Sequence, residues 1–180
     1  MPTSAIVEPQ DNEPTLRLRN RHPRQRVNLI RLRQLVRAAL ERPPLKPRDP
    51  AETGYELGVI LVGEKEMASL NQTYLGHSGS TDVITFDYRD PARSSDGAAP
   101  LRGDLFICLD DARRQARQFG ATWQEELARY VVHGLLHLRG YDDHESTARR
   151  LMKREENRLV RHLHERFPLR GLASAPKLRA

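Results

Sequence analysis

The segment that decides the fold is VVHGLLHLRGYDDHE, residues 131–145. Its apolar residues recur at helical spacing, and Gly140 is a natural stop at which the chain can turn back. Upstream, Thr122 and Glu125 have the spacing of a capping box. The pattern predicts a helix that opens at Thr122, runs to about Leu138 and is followed by an acidic turn.

Two histidines of this helix are candidate metal ligands. His133 and His137 are four residues apart, so their imidazoles share one helical face at a separation suited to a single cation. The turn after Gly140 brings further polar residues to the same neighbourhood: Tyr141, Asp142, Asp143 and His144. Three protein ligands plus water are typical of catalytic zinc, which lowers the pKa of that water to about 7. We therefore predict metal-binding and catalytic roles for His133 and His137.

The same segment is compatible with three alternatives. Two histidines on a helix often only pack or cap. The spacing is also similar to the H-E-x-x-H pattern of zinc proteases, but Gly134 stands where those enzymes have their general base. A third alternative is a non-catalytic RNA-binding factor whose metal is closed by a fourth protein ligand.

The remaining chain alternates between strand and helix patterns. We predict strands at TLRLRN (15–20), Tyr55–Val62, Asp82–Tyr88 and Asp104–Leu109. We predict further helices at 29–40, Glu64–Tyr74 with Tyr74 on the apolar face, Asp110–Phe119 and Thr147–Glu165. Because these elements do not repeat as βαβ units, we expect an α+β fold: a single domain with a roughly four-stranded mixed sheet and helices packed against it.

The length of 180 residues suits one core. Residues 1–14 and 168–180 lack periodicity and are predicted to be disordered tails, which leaves 15–167 as the domain. Residues 90–100, ending in PARSSDGAAP, are predicted to be an exposed loop.

Composition excludes some classes of protein. With 38% hydrophobic and 30% charged residues and no apolar run of about 18 residues, we expect no membrane partner. The first residues lack the features of a secretory signal. The single cysteine, Cys108, lies in an apolar strand pattern, where it is expected to be packed. These features favour a reducing cytoplasm.

The net charge of +6 is concentrated in residues 16–50, which hold eleven Lys or Arg against Glu41 and Asp49. The arginine stripe comprises Arg17, Arg19, Arg21, Arg24, Arg26, Arg31, Arg33 and Arg37. Such a stripe attracts a phosphate backbone, although a solvated helix face with a strand edge would have the same composition.

Four ordered blocks resemble the YbeY-type endoribonucleases, over about residues 50–165. They are HGLLHLRGYDDH at 133–144, LNQTYLGHSGSTDVITF at 70–86, RGDLFICLDDARRQA at 102–116 and WQEELARYVVHG at 123–134. The resemblance implies a cytoplasmic, Zn2+-dependent enzyme that binds one ion, cleaves single-stranded RNA and acts in ribosomal RNA maturation and ribosome quality control. It implies ribosomal RNA precursors and the small ribosomal subunit as partners.

Two positions depart from the family pattern. The family usually has its third histidine ten residues after the first, where this chain has Asp143; an ungapped alignment makes Asp143 the third ligand, and a one-residue bulge would present His144 instead. The unused neighbour, with Asp142, is expected to accept the free ring N–H of a ligating histidine. Leu75 replaces an arginine that many relatives carry.

Other polar residues are predicted to lie in the cleft or at the surface. The block at 70–86 suggests that four residues line the cleft: His77, Ser80, Thr81 and Asp82. For Thr81 and Asp82, ordinary turn chemistry before a strand is at least an equally good explanation. His22, His162 and His164 lie outside the matched blocks and are expected at the surface.

Overall fold

The computed structural model describes residues 14–46, 54–89 and 100–174. Its elements follow the order β1 (Thr15–Asn20), α1 (Leu29–Leu40), β2 (Tyr55–Val62), α2 (Glu64–Leu70), β3 (Val83–Asp87), β4 (Leu101–Cys108), α3 (Leu109–Phe119), α4 (Trp123–Leu138) and α5 (Ser146–Arg166). The predicted tail before residue 14 and the predicted loop at 90–99 lie outside the described residues.

The strands form one mixed sheet in the order β1-β2-β4-β3. β1 and β4 pair with β2 in parallel, and β3 pairs with β4 antiparallel. The central strand β2 is buried from Leu57 onward, as its continuous apolar sequence predicts for a parallel strand covered on both faces. The predicted α+β fold with a four-stranded mixed sheet is confirmed.

Side chains that alternate along the strands fill two hydrophobic clusters. Leu57, Val59 and Leu61 pack into the main core with α1, α4 and α5, whereas Ile60 and Val62 join a smaller cluster with Met67 of α2. The sheet is therefore covered on both faces, and α4 lies over β3 and β4. No helix in the described ranges is both long and apolar enough to span a membrane.

Helix α2 ends earlier than predicted. It stops at Leu70 and continues as one π-helical turn, Asn71–Leu75, which ends at Gly76 in the left-handed region. The buried Asn71 side chain donates a hydrogen bond to the carbonyl of Gly79 and ties the turn to the following loop. The wider turn shifts the helical register, so Tyr74 is exposed rather than part of the buried face.

Two expectations about the surface are wrong. His22 is only 7% exposed: its Nδ1 accepts from the backbone N–H of Gln25, and its Nε2 lies 3.1 Å from Asp110 Oδ1. Within the predicted C-terminal tail, residues 169–172 form a 3₁₀ turn that buries Leu169 and Leu172 in the main core. Both errors have the same cause, because burial is inferred from hydrophobic periodicity. Neither a lone histidine nor a short segment with two leucines shows such a period.

Candidate metal centre

Helix α4 holds His133 and His137 by its packing and its cap. Its N-terminus has the predicted capping box, in which Thr122 N–H donates to Glu125 Oε2 (2.7 Å) and Glu125 N–H donates to Thr122 Oγ1 (3.3 Å). Between the histidines, Gly134 lies against β4, and a Cβ there would be 2.7 Å from Leu105 Cδ2. This close approach to the sheet leaves the two imidazoles partly exposed on another face of the helix.

The two imidazoles and the carboxylate of Asp143 form a triad of possible ligands. The Nε2 atoms of His133 and His137 are 3.1 Å apart, and Asp143 Oδ2 lies 3.8 and 4.0 Å from them. Donors bound tetrahedrally at about 2.1 Å would be about 3.4 Å apart, so the triad has the dimensions of three ligands around one ion. No fourth donor joins this group within the described ranges.

The second nitrogen of each imidazole has a hydrogen-bond acceptor. His133 Nδ1 lies 3.0 Å from Glu156 Oε2, and His137 Nδ1 lies 3.0 Å from the carbonyl oxygen of Tyr141. Because a carbonyl and an ionised carboxylate only accept, both rings carry their proton on Nδ1 and turn the Nε2 lone pair toward the triad. Two lone pairs 3.1 Å apart repel each other unless a cation or a proton lies between them, so this donor set fits a metal ion.

Among the charged groups near the triad, Glu156 has the largest effect on His133. Burial raises the pKa of Glu156, but hydrogen bonds from His133, Lys153 and Arg129 outweigh it and hold this pKa at about 2. Burial lowers the pKa of His133, yet the hydrogen bond and the charge of Glu156 raise it above its usual value. For His137, burial and the neighbouring His133 lower the pKa. Glu156 is therefore ionised at neutral pH and makes His133 a more basic ligand.

The turn that carries Asp143 is held from α5. Gly140 has a φ of +85°, the left-handed conformation that reverses the chain after α4. The Arg149 guanidinium donates through Nε to the carbonyl of Asp143 (2.7 Å) and through Nη2 to that of His144 (3.0 Å). These two hydrogen bonds hold the backbone of the turn in place, with the Asp143 side chain facing the histidines of α4.

Of the two alternatives for the third donor, the geometry favours Asp143. The side chain of His144 is 89% exposed and lies 3.7 Å from Asp142 Oδ1. It is not grouped with the two helical histidines; it forms a second possible donor group with Asp142 and Asp143. The sequence also predicts that the unused neighbour, together with Asp142, orients a ligating histidine. In the structure, Glu156 and the Tyr141 carbonyl accept from the histidine rings instead.

Glu156 is the functional residue that sequence reasoning missed. It lies 23 residues after His133 and is 3% exposed, on the apolar face of α5 that also carries Met152, Leu159 and Leu163. A carboxylate inside an apolar stripe is a detectable signal, since such a group is rarely buried without a partner.

The four residues that the sequence predicts to line the cleft lie in different environments. Asp82 lines a cavity of about 460 Å³ beside the triad, together with His133 and Asp143. Its Oδ1 also accepts from Thr81 Oγ1 and from the N–H of Val83, which is ordinary turn chemistry. Ser80 contacts Arg114, and His77 and Leu75 are exposed.

Comparisons with known proteins identify the family of this chain. The family model described as Endoribonuclease YbeY matches residues 17–164. The chain belongs to the YbeY endoribonuclease family. The YbeY of Anaeromyxobacter sp. strain Fw109-5 is 40% identical over 147 residues, which cover 82% of this chain and 71% of that protein. The YbeY of Frankia alni is 39% identical over 140 residues, or 74% of each chain.

One solved structure has a fold similar to that of this chain. The solution structure of TM1509 from Thermotoga maritima is 26% identical, with a TM-score of 0.58, and the match covers 92% of this chain and all of that one. The resemblance to YbeY-type endoribonucleases expected from the four sequence blocks is confirmed, and family membership supports an endoribonuclease role.

Proposed function

We propose that this YbeY-family chain is a Zn2+-dependent hydrolase that cleaves single-stranded RNA in ribosomal RNA precursors. It would act in the cytoplasm, in ribosomal RNA maturation and ribosome quality control, with the small ribosomal subunit as a partner. One observation carries the metal dependence: the Nε2 atoms of His133 and His137 and the carboxylate of Asp143 converge at the edge of an open cavity.

The residues of the candidate site would have two different roles, metal binding and support of the ligands. His133, His137 and Asp143 would hold the ion, while Glu156 and the Tyr141 carbonyl keep the ring protons on Nδ1. A bound Zn2+ would lower the pKa of water to near neutrality and polarise a phosphoryl oxygen. With three protein donors, a coordination position stays open for solvent or substrate.

The same geometry weakens the two rival functions. A non-catalytic, metal-stabilised RNA-binding factor would need a fourth protein ligand, and the triad has none among residues 14–46, 54–89 and 100–174. A zinc protease would need its glutamate at position 134, where Gly134 faces Leu105 of the sheet instead of the triad.

The arginine stripe supports a polyanionic substrate. Seven of its eight side chains are exposed, whereas Arg33 is half-buried and donates to the carbonyl of Leu16. Arg17 and Arg21 pair with Glu56 and Glu66, so part of the positive charge is compensated locally. The stripe would contribute a general attraction to RNA, and the chemistry would take place at the triad.

The test is metal content and RNA cleavage measured on the same preparations. Purified protein should contain one zinc per chain by mass spectrometry and cleave a single-stranded ribosomal RNA fragment, and a chelator should stop cleavage. Replacing both His133 and His137 by Ala should remove the zinc and the activity. Unchanged zinc content in this double variant would refute the proposal.

Two further variants test the third ligand. Asp143→Ala should weaken zinc binding, because it removes one donor from the triad. His144→Ala is the matched control, since this adjacent side chain faces solvent. The opposite result would assign the third ligand to His144.

A further inference from the structure

The cavity beside the triad carries three cationic side chains. Arg129 comes from α4, one turn before His133, while Arg149 and Lys153 stand one turn apart on α5. The three carboxylates of the cavity, Asp82, Asp143 and Glu156, balance them. A divalent ion in the triad would leave a positive surplus, which suits a phosphodiester.

Two of these cations are committed to the protein. Arg149 donates hydrogen bonds from Nε and Nη2 to the backbone carbonyls of the turn. Arg129 Nη1 donates to Glu156 Oε1 (2.7 Å) and to Asn157 Oδ1 (3.0 Å). If either guanidinium turned toward a ligand, it would abandon a backbone or buried acceptor, which is costly.

Lys153 is differently placed. Its side chain is 57% exposed, and its ammonium donates to Glu156 Oε1 at 2.8 Å. If Lys153 turned away, Glu156 would still have Arg129 on Oε1 and His133 on Oε2. An ammonium has three donors on a flexible stem, so it can meet an incoming anion at little cost.

We propose that Lys153 binds the phosphate next to the scissile one, and so makes the site selective for an extended RNA strand over an isolated phosphodiester. This inference rests on the proposed function. Two hydrogen bonds, the Glu156 carboxylate and one imidazole ring separate the ammonium from His133 Nε2. Because Glu156 stands between the ammonium and His133, we assign to Lys153 the phosphate next to the one held at the triad rather than the scissile phosphate itself.

The experiment compares two substrates that differ in length. One is a fluorescent single-stranded RNA of about 12 nucleotides, and the other is bis(4-nitrophenyl) phosphate, which has one phosphate only. In Lys153→Gln, kcat/KM for the RNA should fall roughly three- to tenfold more than kcat/KM for the small diester, with the difference mainly in KM. Lys153→Arg should restore most of the loss, since it restores the charge.

Binding gives a second readout that does not depend on turnover. Stopped-flow anisotropy on zinc-loaded protein records RNA affinity before the strand is cut. In Lys153→Gln the slope of log affinity against log salt should fall by about one, the signature of one lost phosphate contact. The matched control is Arg154→Gln, because Arg154 is the adjacent cation on α5 and pairs with Glu155 outside the cavity.

The outcomes separate the two proposals. If Lys153→Gln and Arg154→Gln lose the same amount of RNA affinity, the effect comes from the overall positive charge of α5 and not from a specific phosphate contact, which would overturn the inference. So would an equal loss on both substrates, which would mean that Lys153 acts through Glu156 on the triad. If the wild-type protein cleaves no RNA, the proposed function fails, and the salt slopes still decide whether Lys153 contacts a phosphate.

Discussion

Replacing Glu156 by Gln should weaken zinc binding through a change of tautomer at His133. The carboxylate accepts from His133 on one oxygen and from Arg129 and Lys153 on the other. Gln offers one oxygen and one NH2 group, so it cannot satisfy both sides. The two cations attract the amide oxygen more strongly, which turns the NH2 toward His133 Nδ1. The ring proton then moves to Nε2 and blocks the lone pair that faces the triad.

The expected size of this effect is a loss of about 10- to 100-fold in zinc affinity, the range seen when the partner of a ligating histidine is removed. That corresponds to about 1.4–2.7 kcal/mol of binding free energy. The assay is competition for zinc against a chromogenic chelator at neutral pH. Glu155→Gln is the matched control, because Glu155 pairs with Arg154 and Arg158 and not with the triad. Equal zinc affinity in both variants would refute the tautomer argument.

Three further predictions concern stability and RNA binding. Gly134→Glu, which creates the H-E-x-x-H sequence, should lower the free energy of unfolding by more than about 3 kcal/mol in urea, because it forces a charge against buried Leu105; a stable variant with peptidase activity would contradict this. A hydrogen bond from the Thr122 N–H holds the pKa of Glu125 below its usual 4.5, so the stability advantage over Glu125→Gln should be complete above pH 4.5 and vanish as the pH falls through the lowered pKa; an advantage that persists in acid would count against the capping box. RNA affinity should fall steeply as the salt concentration rises, and replacing Arg24 and Arg26 by Gln should lower the slope of log affinity against log salt by about two. Binding that does not depend on salt would show that the arginine stripe does not contact RNA phosphates.

Local patterns were sufficient for most elements of the fold. β2 has the predicted bounds, and α4 begins at the predicted capping box and ends at Leu138. These features depend on hydrogen bonds and side-chain periods within one segment, which the sequence displays directly. Errors at α2 and in residues 168–174 arose where a single buried residue or a short turn decides the backbone, as Asn71 and Leu172 do.

Only the helical part of the candidate site and the presence of an acidic turn after it could be predicted from the sequence. The sequence alone determined that His133 and His137 share a helical face and that an acidic turn follows, because a helix repeats every 3.6 residues whatever surrounds it. Only the tertiary structure decided that Asp143 faces the histidines, that Glu156 supports His133 and that Lys153 borders the cavity. Those relations depend on how α5 packs against α4, and packing between distant segments is set by the whole core rather than by the residues that meet.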